Sequence, residues 1–379
     1  MFEHMTEQQA KEQILSLVKE YHMTYQKKET VFQPGDSIRY AGRVFDEEEL
    51  MNGVDSILEF WLTAGRFTSE LEKALREYLG VRHVLLTNSG SSANLLAFMA
   101  LTSPLIEKER RILPGDEVIT VAAAFPTTVT PIIQYGAVPV FVDIKIPSYN
   151  IDVSRLEEAL SPRTRAVFLA HTLGNPFDLK TVRAFCDAHG LWLIEDNCDA
   201  LGAEYTINGI TKKTGTVGDI GTSSFYPAHH MTMGEGGAMY TDNPVLYRAM
   251  LSLRDWGRDC HCLGGHDNMC GHRYDGQYGE LPKGYDHKYV YSHFGYNLKI
   301  TDIQAAIACA QIRKLPGFVE KRRRNFARLY AALEKISDRL YLPEVEPDAE
   351  ASWFGFPVTV REGVDRDAVV QTLESRKIQ

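Results

Sequence analysis

The chain has 379 residues, 44 % of them hydrophobic, and a formal net charge of −9. That length allows a large domain plus a smaller one with a full core, and the acidic balance leaves no basic footprint for nucleic acid or an anionic membrane. The opening MFEHMTEQQAKEQILSLVKEYH is charged throughout and no later run nears the roughly 18 to 20 apolar residues of a membrane span, so a cytoplasmic protein is expected.

In chain order, an amphipathic helix is followed by a polar stretch over 27–46, a helix around Leu50 to Thr63 and another near Glu70 to Tyr78. Short apolar runs then alternate with helical patterns. HVLLT (83–87) precedes a helix after Ser91, EVITV (117–121) a helix after Pro126, and VPVFVDI (138–144) a helix near Leu156. AVFLAH (166–171) precedes a helix near Val182, and LWLIED (191–196) follows it. This alternation predicts an α/β fold, a mostly parallel sheet with helices on both faces and ligands at the carboxyl ends of the strands. GTSSFY (221–226) and AMYTD (238–242) read as further strands, with a helix from Pro244 to Arg254.

From Gly257 to about Tyr296 the pattern becomes irregular, rich in Gly, His, Asp and Tyr, and three cysteines in it suggest that a metal organises it. The tail predicts a helix from Thr301, a second long helix through about Ile336, a strand at FGFPVTV (354–360) and a helix over 366–375. The expected organisation is an N-terminal helical segment (1–56), a large domain (57–314) carrying the loop 257–296, and a small α+β domain (315–379). That last domain reads as truncated at Gln379.

Four motifs carry chemistry. TNSGSSANLLA (87–97) follows a strand and opens a helix, so Gly90 and Ser91 offer backbone amides, a hydroxyl and a helix N-terminus to a phosphate; small polar residues also simply cap helices. Asp196 ends the strand of LIEDNCDALG, where a carboxylate either meets a pyridinium nitrogen or caps a loop. Phe125, after EVITV, either stacks on a ring or joins the core. SFYPAHHMTMGEGG (224–237) contributes Ser224 and a pair of histidines.

That last segment resembles the cofactor-lysine loop of pyridoxal-phosphate (PLP) aminotransferases acting on nucleotide-linked keto sugars, with His229 where the lysine belongs. An imidazole moves protons but cannot hold the pyridoxal aldehyde covalently, which points to a pyridoxamine-phosphate (PMP) dehydratase. From about Ile57 onward the chain resembles a fold-type I PLP-dependent protein of the keto-sugar aminotransferase and dehydratase family. The resemblance implies that Gly90, Ser91 and Ser224 hold the phosphate, that Phe125 stacks and that Asp196 meets the pyridine nitrogen. It further implies a homodimer in which Asn297 of GYNLKITDIQAA reaches a neighbouring subunit's cofactor. His230 is read as a supporting residue behind His229.

Six cysteines in such a chain are expected as thiols or metal ligands. Cys186 and Cys309 sit among apolar helical residues and read as buried thiols. Cys260, Cys262 and Cys270 form C-x-C-x7-C, and Cys198 lies two residues past Asp196; four thiolates suit zinc or an iron-sulfur cluster, and spacing does not choose. RDWGRDCHC, GYDHKYVYSH and GYNLKITD, with the His229 loop, are similar to the [2Fe-2S] CDP-4-keto-6-deoxyglucose 3-dehydratase family of 3,6-dideoxyhexose synthesis. That likeness implies a cluster on the four cysteines, a nucleotide-sugar substrate, PMP, and an NADH-dependent flavin and iron-sulfur reductase as partner. Between Cys198 and Cys260 lie 61 residues, more than the family's usual spacing, with the excess expected in a surface turn at INGITKKTG. Alternatives are a cluster-free relative, GDP-4-keto-6-deoxymannose 3-dehydratase, and a non-catalytic iron-sulfur sensor on the same fold.

Overall fold

The computed structural model describes residues 2–27, 31–262 and 268–379. Helix α1 (Glu7–Tyr21) starts at a capping box in which Thr6 and Gln9 satisfy each other's backbone N–H groups. Helix α2 (Glu47–Glu59) starts at a similar box between Asp46 and Glu49, and α3 (Arg66–Leu79) buries Phe67, Leu71, Leu75 and Leu79 along one stripe. Then β1 (His83–Thr87), α4 (Gly90–Ala100), β2 (Glu117–Val121), α5 (Pro126–Tyr135) and β3 (Val138–Val142) alternate as the pattern predicts. The helix expected near Leu156 is instead two 3-10 turns, Val153–Arg155 and Glu157–Ala159, begun by an Asp152 cap and followed after Leu160 and Ser161 by Pro162.

The alternation continues through β4 (Thr164–Ala170), α6 (Leu179–His189) and β5 (Trp192–Asp196). INGITKKTG, expected to be a plain surface turn, lies in a hairpin of β6 (Glu204–Ile207) and β7 (Ile210–Lys213). Asn208 and Gly209 take φ of 52° and 78° there, the two positive values that an Asn-Gly hairpin turn requires. Strands β8 (Ile220–Ser224) and β9 (Gly237–Thr241) flank the histidine loop and lead into α7 (Pro244–Arg254).

The tail differs from expectation. One helix, α8 (Asp302–Leu333), replaces two and runs through Pro316, because Ala305, Ala308, Ile312, Leu315 and Val319 are all buried against the α3 stripe and packing outweighs the lost hydrogen bond. β10 (Leu340–Tyr341) and β11 (Ala349–Glu350) follow. FGFPVTV yields only β12 (Thr359–Val360), since the N–H of Phe354 bonds the Leu173 carbonyl instead of entering a ladder. Helix α9 (Arg366–Ser375) closes the chain as predicted.

The main sheet has seven strands in the order β1-β9-β8-β5-β4-β2-β3. From β3 to β8 every pair is parallel, and β9 runs antiparallel to both of its neighbours. β2, β5, β8 and β9 are buried along their whole length, as strands covered by helices on both faces must be. This is the fold-type I PLP-dependent architecture anticipated from the sequence. Segments following β1, β2, β4, β5 and β8 meet at one edge of the sheet and line a single cavity there.

Candidate active site

The cavity has a volume of about 680 Å³. Its floor is the carboxylate of Asp196, 4 % exposed, at the end of β5. Asp196 Oδ2 accepts hydrogen bonds from Asn94 Nδ2 and Thr128 Oγ1, both at 2.7 Å, and Oδ1 accepts the Cys198 N–H at 3.1 Å. α4 supplies Asn94 and α5 supplies Thr128, so two helices and the loop after β5 fix one carboxylate in place. A group held this rigidly and this dry is an effective partner for a protonated ring nitrogen.

At one end of the cavity the N-terminus of α4 meets the end of β8. The Ser89 hydroxyl accepts the Ser92 N–H as the helix cap. A Cβ at position 90 would overlap that of Ser224 and stand 3.1 Å from Cys198 Sγ, so only glycine allows these segments to approach so closely. Gly90, Ser91 and Ser224 all line the cavity, where an 11-residue helix presents its first amides beside two hydroxyls. Phe125 also lines it, 69 % exposed and therefore outside the core. Together these groups offer a phosphate cradle, a ring-stacking face and an anion for the ring nitrogen, so the residues present fit PMP or PLP.

His229 enters from the loop after β8. Its Nδ1 lies 3.3 Å from the Tyr226 carbonyl and its Nε2 lies 3.5 Å from Asp199 Oδ1. Its ring is 5.3 Å from that of Phe354 and 6.4 Å from that of Tyr226. With Nδ1–H donating to the carbonyl, Nε2 is the basic atom, and the Asp199 carboxylate stands ready to balance the charge it would gain. Among the described residues lining the cavity there is no lysine.

The cavity therefore gathers Gly90, Ser91, Phe125, Asp196, Cys198, Ser224 and His229. Asn297 is exposed and outside it, accepting a hydrogen bond from Lys299 Nζ at 2.8 Å. His230 is buried behind the cavity wall, its Nε2–H donating to the Ser352 carbonyl at 2.7 Å. Sequence reasoning missed Asp199, Tyr226, Phe354 and Tyr40, all of which line the cavity. Asp199 had a usable signal, three residues beyond Asp196 in the same turn. Phe354 and Tyr40 come from distant segments whose local sequence carries none.

Of the four cysteines expected to share one centre, Cys198 lines the cofactor cavity and the other three lie in the loop 257–296. Cys198 is tucked beneath Gly90, and burial, with the Asp196 charge next, pushes its thiol well above the ordinary value. Cys260 and Cys262 line a different cavity, beside Trp61, Arg254, Trp256 and Lys299. Cys262 Sγ accepts the Met269 N–H and Cys270 Sγ accepts the His272 N–H, each at 3.4 Å, and Cys270 Sγ lies 3.7 Å from His287 Nε2. Among the described residues no three His, Cys, Asp or Glu side chains are placed to hold a metal ion. Trp256 N–H binds the Tyr296 carbonyl and Asp259 N–H the Val290 carbonyl within the loop region, while His293 bridges Ser103 and Ser252 of α7. The donor set itself, four thiols, is one that zinc or an iron-sulfur cluster takes.

Residues 45–379 match the model of the DegT/DnrJ/EryC1/StrS aminotransferase family. The lipopolysaccharide biosynthesis protein RfbH of Salmonella typhimurium is 52 % identical over 376 residues, covering 99 % of this chain and 85 % of that protein. The dTDP-4-dehydro-2,6-dideoxy-D-glucose 3-dehydratase of Saccharopolyspora spinosa is 48 % identical over 371 residues, covering 97 % and 79 %. Among solved structures, GDP-4-keto-6-deoxy-D-mannose-3-dehydratase of E. coli with bound hydrated PLP superposes with a TM-score of 0.78 at 29 % identity, covering 91 % and 85 %. The fold, the cavity at its strand ends and these likenesses agree: the chain belongs to the DegT/DnrJ/EryC1/StrS aminotransferase family.

Proposed function

We propose that this protein is a PMP-dependent 3-dehydratase acting on a nucleotide-linked 4-keto-6-deoxy sugar. The observation that carries the reading is a cavity that gathers Gly90, Ser91, Phe125, Asp196, Ser224 and His229, with no lysine among the described lining residues. Sugar 3-dehydratases among the similar proteins support the same reading. Bound PMP would supply an amine for the sugar ketone and a ring that accepts electron density.

The chain's own residues then have defined tasks. Gly90, Ser91 and Ser224 bind the phosphate, Phe125 covers the ring, and Asp196 keeps the ring nitrogen protonated. His229 takes a proton at Nε2 while Asp199 balances the imidazolium, so the base can act without a second charge entering the cavity. His229 then returns its proton to the C3 hydroxyl, which departs as water. CDP-4-keto-6-deoxy-glucose is the substrate we assign, on the motif likeness set out above. The test incubates PMP-loaded protein with the CDP-, dTDP- and GDP-linked keto sugars and follows loss of water by mass spectrometry; no loss with any of them contradicts the reading.

The loop thiols favour an extension of it. We propose that Cys260, Cys262 and Cys270, joined by Cys198, carry a [2Fe-2S] centre fed by an NADH-dependent flavin and iron-sulfur reductase, in a cytoplasmic homodimer. The supporting observation is that the sulfurs of Cys262 and Cys270 each accept a backbone N–H. The extension requires Cys198 and the loop to come together. Iron, sulfide and visible absorption of anaerobically purified protein decide: their absence with PMP bound indicates the cluster-free dehydratase, and iron without PMP binding indicates a sensor.

A further inference from the structure

The base loop is not held by its own residues alone. Arg322, on α8, spreads its guanidinium over two chain segments at once. Nη1 donates to the carbonyls of Trp353 and Phe354 at 3.0 and 3.4 Å, and Nη2 donates to those of His229 and Ala228 at 3.2 and 3.5 Å. Four carbonyls, with no direct carboxylate partner among the described residues, is an unusual environment for a guanidinium. Burial lowers its basicity, and the acid whose charge reaches it is Asp199, the residue facing His229 Nε2.

A second contact ties the same two segments together. His230 Nε2–H donates to the Ser352 carbonyl, and burial, with Arg322 next, pushes that imidazole down to about 3, which keeps it neutral. On the opposite side, Ser352 N–H binds the Gly174 carbonyl at 3.0 Å and Phe354 N–H binds the Leu173 carbonyl at 2.8 Å. Gly174 has φ of +89°, and a Cβ there would overlap the Ser352 carbonyl. Residues 352–354 are therefore clamped from both sides, and the Phe354 ring is delivered to 5.3 Å from the His229 ring.

We propose that Arg322 is a positioning residue for the proton transfer: its fork locks the carbonyls of Ala228 and His229 to those of Trp353 and Phe354, and so sets the imidazole of His229 between Asp199 and Phe354. Lysine cannot replace it, because an ammonium lacks the planar fork that spans two segments. The inference rests on His229 being the base, as proposed above. Displacing a reacting group by about 1 Å can cost roughly a hundredfold in rate, and that is the scale expected here.

The experiment uses full-length, PMP-loaded Arg322→Lys and Arg322→Ala with selectively 13C-labelled histidine, thermal melting confirming that each is folded. For Arg322→Lys, kcat is expected to fall about 10- to 100-fold with the sugar KM and PMP affinity nearly unchanged, while the His229 ring signals move because their distance from Phe354 changes. Added guanidinium, but not ethylammonium, is expected to restore kcat in Arg322→Ala. Wild-type kcat in Arg322→Lys with unmoved His229 signals overturns the proposal, as does a rate loss that guanidinium leaves untouched. If the wild type does not dehydrate the sugars yet the His229 signals shift on substitution, the functional reading fails and the clamp stands.

Discussion

The cofactor cavity and the cysteine loop present opposite ways of placing reactive groups. In the cavity several polar groups are tied to elements of regular structure: α4 and α5 hold Asp196, the end of β8 carries Ser224, and α8 holds the carbonyls of the His229 loop. In the loop 257–296 the thiols rest on N–H groups of near neighbours, and the described regular structure there is a single 3-10 turn, His287–Tyr289. A site built on strand ends exists before its ligand arrives, whereas thiols in such a loop wait on their ligand for a final arrangement.

The sharpest way to break this comparison is at the base. His229→Asn is expected to lower dehydration by about 10²- to 10⁴-fold while PMP still binds, because the cradle lies on other elements. Single-turnover dehydration and a PMP titration check both halves. Next in size, Asp196→Asn removes the anion from the cavity floor and is expected to weaken PMP by about 10- to 100-fold, read by the same titration. Gly90→Ala forces a methyl into Ser224, at a cost of roughly 1–3 kcal/mol, and should lower both the melting temperature and PMP affinity.

A smaller effect comes from His230. Its folded value of about 3 lies below its ordinary 6.5, so the unfolded chain binds the proton more readily. Its contribution to stability is whole above about pH 6.5 and is lost progressively as pH falls toward 3, at up to about 1.4 kcal/mol per pH unit. Denaturant melts of His230→Gln should show a shallower decline than wild type between those limits. The smallest effect is expected from Cys262→Ser, which should leave PMP affinity and water loss unchanged and alter only iron content and any reductive step.

What could be read in advance follows the same division. β1, β2 and α7 matched their patterns residue for residue because apolar runs and helix periods are local. Gly90, Asp196 and Ser224 were legible because a motif at a strand end inherits the position of the strand. Phe354 and Arg322 were not, since their roles arise from contacts between segments distant in the chain. α8 was expected as two helices because its long-range packing against α3 overrides a local break. The four cysteines were read as one centre from a family likeness, which says nothing of the hydrogen bonds that the loop makes.

The central claim is that this cavity holds its cofactor without a covalent bond and presents an imidazole in place of an amine. Borohydride treatment of PLP-loaded wild type and His229→Lys, followed by intact-mass measurement and peptide mapping, tests it most directly. The account predicts no stoichiometric pyridoxyl adduct on the wild type and one adduct, at position 229, on the variant. A stoichiometric adduct on any lysine of the wild type, or none at 229 in a folded variant, would contradict it.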